Sequence, residues 1–215
     1  METDLLQKLG SKAITKEKLL QRVEQNFDLL PELLQGIFSL KAAIRYGCAK
    51  VLMDLSEKSP ERLYPYMENF IELLDSKHRI LTWNAMAIIA NLAKVDKDQR
   101  FDAIFDKYYN FLNDEYMVTV ANVVRNSAKI ALAKPYLVQK IATELLKVND
   151  ISVTPHLTEE CKLVITEHAI KSFDVFFERI EAKARVQVLS FVRQQLDSKR
   201  TSLRKEAQSF LKKWD

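Results

Sequence analysis

The residues best suited to chemistry in this 215-residue chain are three histidines, two cysteines and a scatter of carboxylates. His156, Cys161 and His168 offer donors that zinc or iron would accept. Their spacing, however, crosses a loop and a helix, and His168 falls on the apolar stripe of that helix, where a structural histidine is expected. Glu167-His168 is a single acid–histidine pair, whereas an iron centre built from such pairs needs several. Three glycines cannot supply a phosphate-cradling loop, and no serine or cysteine stands in a nucleophile turn. The expectation is therefore no enzyme: no catalytic residue, no metal and no cofactor.

What remains is recognition chemistry. Tyr46, Lys50, Met53, Trp83, Asn122, Asn126 and Lys129 each lie two, six or nine residues after an apolar anchor, Ile44, Leu81 or Val120. At 100° per residue those offsets point away from the core stripe, so the seven residues are the candidate binding row. Tyr46 and Trp83 hold equivalent places in successive helices, and large amphipathic rings dominate interface energetics. Each ring could instead wedge between neighbouring helices.

The elements that must position this row repeat along the chain. Leu74–Leu92 reads LDSKHRILTWNAMAIIANL, and Leu196–Trp214 restates it as LDSKRTSLRKEAQSFLKKW, a turn followed by a helix with one apolar stripe. A helix bearing so narrow a stripe cannot bury it alone, which points to stacked helical pairs. Anchors at 44, 81, 120, 157 and 203 are 37, 39, 37 and 46 residues apart, placing an insertion in the last interval. Few glycines and prolines, with Leu, Ala, Lys, Glu and Ile abundant, predict helix throughout. Thr15 is the expected cap of an N-terminal helix. Pro31, Pro65 and Pro135 recur in or near the first helix of a pair, where each predicts a bend. We read one all-α domain over residues 1–215, with a helical cap at 1–26 and about five pairs over 27–215.

Ile44-Arg45, the two LDSK turns and Leu203-Arg204-Lys205-Glu206-Ala207 resemble the signature of HEAT-repeat proteins, an armadillo-like family, over roughly residues 28–215. Thr82 and Ala121 depart from it, standing where arginine is common. The resemblance implies a right-handed α-α superhelix whose second helices line a concave surface that holds protein or nucleic acid. It implies no reaction.

The partner class follows from charge and surface chemistry. The net charge of +4 is uneven, because residues 183–215 hold nine basic and three acidic side chains, 9 − 3 = +6, leaving −2 for the rest. Lys50, Lys129, Lys205 and Lys212 on the row would suit phosphates, but Glu159 interrupts them, and a general nucleic-acid binder shows a larger excess. HEAT-like alkylpurine DNA glycosylases use aromatic residues with a nearby carboxylate. Here Trp83 is followed one turn on by Ala87, and Tyr46 by Lys50. The favoured reading is a scaffold for a protein or peptide, with a nucleic-acid-binding solenoid as the alternative. No apolar run reaches membrane-spanning length, and Cys48 and Cys161 both fall at core positions, so a cytoplasmic protein with reduced, buried thiols is expected.

Overall fold

The computed structural model describes residues 3–215, which group into two compact units, one ending at Asp98 and the other spanning Gln99–Asp215. Among the described residues there are fourteen α-helical segments joined by short 3-10 turns, and an isolated β-bridge between Thr154 and Leu157.

The first unit opens with α1 (Asp4–Gly10) and α2 (Lys16–Gln25). As expected, Thr15 caps α2, its hydroxyl accepting from Lys18 N at 3.3 Å. Two pairs follow. A first helix α3 (Leu30–Gly36) precedes the long α4 (Ala42–Lys58). The broken α5 (Pro60–Leu63) and α6 (Met67–Glu72) precede α7 (Arg79–Leu92). The second unit holds three pairs. These are α8 (Arg100–Ala103) and α9 (Phe105–Asn110) with α10 (Met117–Ala133), α11 (Val138–Leu146) with α12 (Glu159–Phe176), and α13 (Ala182–Arg193) with α14 (Thr201–Trp214).

Of the three prolines expected to bend first helices, Pro31 stands in the first turn of α3, where no helical N–H bond is lost. Pro65 and Pro135 sit in 3-10 turns, Tyr64–Tyr66 and Pro135–Leu137, that interrupt or open first helices, because proline lacks the N–H that a helical turn needs. The third pair has no proline there; its first helix is broken instead at Ile104 (φ −108°, ψ 7°).

Second helices pack side by side, α4 on α7 in one unit and α10 on α12 on α14 in the other. In four of the five the register is set by the turn before the helix. Ser39, Ser76 and Ser198 accept the backbone N–H two residues on, at Lys41, His78 and Arg200, and Asp114 does the same for Tyr116. Counting from these turns puts the third anchor at Thr119, one residue before Val120. The buried set Thr119, Val123, Asn126, Ser127 and Ile130 then repeats Ile44, Cys48, Val51, Leu52 and Leu55.

The fourth anchor also differs. Leu157 is buried but precedes α12, whose buried stripe begins at Ile165 and continues through Ala169, Ser172, Phe173 and Phe176. Anchors 44, 81, 119, 165 and 203 are 37, 38, 46 and 38 apart, so the insertion lies before the fourth second helix rather than after it. It is the 151–158 segment. Its Thr154 hydroxyl donates to Glu115 O at 2.6 Å, its His156 carbonyl accepts from Met117 N, and the His156 ring stacks on Tyr116 at 4.2 Å.

Buried polar groups pin neighbouring helices. Asn91 Nδ2 donates to Ser56 Oγ at 2.9 Å, Tyr109 OH to Ser127 Oγ at 3.1 Å, and Ser172 Oγ to Val124 O at 2.7 Å. Gly36 permits close packing of α3 on α4, since a Cβ there would come within 2.5 Å of Cys48 Sγ. Cys48 is fully buried, its thiol pushed up to about 12 by burial and then by the charge of Glu32. Cys161, expected in the core, is only half-buried, because the first turn of α12 extends beyond the stripe that begins at Ile165.

Candidate binding surface

The arginine of the repeat signature braces the turn. Arg45 Nη1 donates to Ser39 O at 2.9 Å and Leu40 O at 3.4 Å; Arg204 Nη1 repeats this on Ser198 O at 2.6 Å and Lys199 O at 3.2 Å. In the second repeat Thr82 Oγ1 reaches Ser76 O at 3.5 Å, the limit of such a bond. In the third the corrected register puts Val120, not Ala121, at this place. Valine cannot donate, and the bond to Glu115 O comes instead from Thr154 of the insertion.

In the first unit the row carries four of the seven candidates. Tyr46 is half-buried beneath the Arg45 guanidinium, 4.7 Å from its ring centre, and meets the His78 ring edge-on at 6.3 Å. Arg45 Nη2 also donates to its hydroxyl at 3.3 Å. His78 is held below its ordinary value by desolvation, then by the charges of Arg45 and Lys77. Lys50 pairs with Asp54 one turn on. Met53 and Trp83 are half-buried, presenting part of each side chain to solvent.

In the second unit the candidates fare differently. Asn122 is half-buried and returns its amide to Val118 O of its own helix at 2.8 Å. Asn126 is only 8% exposed and hydrogen-bonds Tyr108, which corrects its place on the outer row. Lys129 is half-buried. The register count instead puts exposed Arg125 at the outer position, a residue the anchor spacing missed. The signal was Asp114, which serves here as the turn acceptor that serine provides elsewhere.

Counting from Ile165 replaces Glu159 with Glu167 on α12, followed by Lys171 and Asp174. Glu167 and Lys171 pair with each other, and all three engage α14 or the residue that caps it. Glu167 accepts from Lys171 at 2.6 Å, Ser202 at 2.6 Å and Arg200 at 3.2 Å; although burial opposes ionisation, these bonds hold its carboxyl at about 2. Asp174 accepts from Lys213 at 2.9 Å and Trp214 Nε1 at 2.6 Å. His168 is half-buried and held low by desolvation, then by Arg125 and Lys171. Among the described residues no cluster of histidine, cysteine and carboxylates could hold a metal ion.

Each unit also has a groove. One of about 510 Å³ lies between the α1–α2 turn and the start of α4, floored by Leu9, Ile14 and Tyr46. The second unit has one of about 570 Å³ lined by Asp106, Asp114, Glu115, Glu144 and Asp150 around Tyr109.

No family model and no curated protein matches the chain. Solved structures do. A designed armadillo repeat protein is 19% identical with a TM-score of 0.61, covering 98% of this chain and 92% of its own. Another, in complex with the peptide (KR)4, is 16% identical with a TM-score of 0.66, covering 98% and 91%. A computationally designed set for modular peptide recognition gives 16% and 0.64, covering 98% and 90%. These likenesses show the fold: the chain is an all-α, armadillo/HEAT-like repeat solenoid.

Proposed function

We propose that the chain is a non-catalytic scaffold that holds a peptide, or an extended segment of a protein, on the outer row of its second helices. The observation that carries this reading is the pair Tyr46 and Trp83, half-exposed rings at the same position of successive second helices. Such rings supply contact area at low entropic cost. The designed neighbours support it at the level of fold, since two of them are described with peptides or peptide recognition. In this proposal Lys50 and Met53 flank the rings, while Asn122, Lys129 and Arg125 serve the second unit and Asn126 holds Tyr108 behind them. The single repeat domain with its cap at 1–26 remains part of the reading, as does a cytoplasmic setting, which suits two unpaired cysteines. Among the described residues no helix is long and apolar enough to cross a membrane. The nucleic-acid alternative gains no support from these neighbours.

The test is selection of random linear peptides on the immobilised protein, followed by affinity measurements on Trp83→Ala. Selected peptides should lose about tenfold or more in affinity, as truncation of an aromatic anchor does, while helicity and melting temperature hold. Failure to select any peptide would remove the reading.

A further inference from the structure

The groove of about 510 Å³ in the first unit has a charge character that its apolar floor alone does not give. Leu9, Ile14 and Tyr46 form that floor, and two helices begin at its wall. α2 enters with Thr15 and Lys16, and the seventeen-residue α4 enters with Ala42 and Ala43. The N-cap residue of α4, Lys41, supplies no side-chain cap, so the positive end of that helix opens on the groove. Lys12 and Lys16 stand exposed at the rim, and neither forms a salt bridge among the described residues. Lys12 is held there in a left-handed turn (φ 63°). Glu17, the one carboxylate present, is turned onto its own backbone and Thr15, and its pKa is lowered by those bonds first. An apolar slot ringed by two lysines and the uncapped start of α4 complements an acidic segment bearing an apolar side chain.

We propose that this groove takes an acidic peptide segment, its carboxylates between Lys12, Lys16 and the start of α4 and one leucine or phenylalanine against Leu9, Ile14 and Tyr46. This rests on the peptide-scaffold reading and names the partner's chemistry at its Tyr46 end. The probe is a fluorescein-labelled EELFEE peptide, with KKLFKK as its charge-reversed control, followed by anisotropy on the full chain. EELFEE should bind with an affinity that falls as salt rises, and KKLFKK should not bind comparably. Lys12→Asn with Lys16→Glu, the asparagine chosen because it tolerates the left-handed turn, should weaken EELFEE about tenfold. Ala43→Glu, an exposed change that leaves both lysines in place, should weaken it too, with circular dichroism unchanged. Absence of EELFEE binding, equal binding of KKLFKK, or indifference to both variants would overturn the proposal. The peptide selection separates the two readings. Selected peptides with no acidic preference, or basic ones suited to the carboxylate-lined groove of the second unit, sink this inference and leave the scaffold, whereas no selected peptide removes both.

Discussion

Arg45 works at three ranges at once, bracing the Ser39–Leu40 turn, covering the Tyr46 ring and depressing His78. Removing a charged donor from carbonyls it satisfies costs roughly 1.5–3 kcal/mol, so Arg45→Ala should lower the unfolding free energy by that order, measured by urea unfolding. Arg45→Lys should recover little of it, because a point ammonium cannot reproduce the planar fork. Glu167 gives a second residue-scale prediction. Its folded value of about 2 lies below the ordinary 4.5, so the stability it contributes is fully present above pH 4.5 and is lost as pH falls through about 2. Glu167→Gln should flatten that part of the acid unfolding curve, read by circular dichroism. The thiols give a third: in the native protein a disulfide reagent should modify Cys161 and spare Cys48, whose burial pushes its thiol up, and both should react in denaturant.

At the scale of the element, the insertion at 151–158 takes over a bond that arginine makes elsewhere. Thr154→Val removes the donor to Glu115 O while keeping shape, and should destabilise the protein by about 1 kcal/mol, measured by urea unfolding. The same segment explains what the sequence could and could not disclose. Helix periodicity, the proline breaks and the Thr15 cap were legible because each is a local effect of backbone geometry. The third and fourth registers were not. Apolar spacing cannot distinguish Thr119 from Val120 when both are buried, and only the Asp114 turn bond breaks the tie. Leu157 carries an anchor's burial without belonging to a helix, because it closes the insertion through its bridge with Thr154. The candidate row inherited both slips. Its first-unit members are half-buried, whereas Asn126 turned inward and Arg125, Glu167 and Lys171 were missed.

At the scale of the whole molecule, three of the nine basic side chains in residues 183–215 are paired with carboxylates. Arg193 pairs with Asp215, Arg200 with Glu160 and Glu167, and Lys213 with Asp174, while Arg185 and Arg204 brace carbonyls. Lys183, Lys199, Lys205 and Lys212 are exposed, the last two on the outer row of α14. Glu167 and Asp174 stand on the same row and the net charge is only +4, so labelled duplex DNA should give flat anisotropy titrations at physiological salt. The central claim, that Tyr46 and Trp83 face a bound peptide, is tested most directly by tryptophan emission. In a Trp214→Phe variant Trp83 is the sole fluorophore of its kind. Titration with a selected peptide should shift or quench its emission saturably, with the same midpoint as peptide anisotropy. Binding seen by anisotropy with Trp83 emission unchanged would contradict the account.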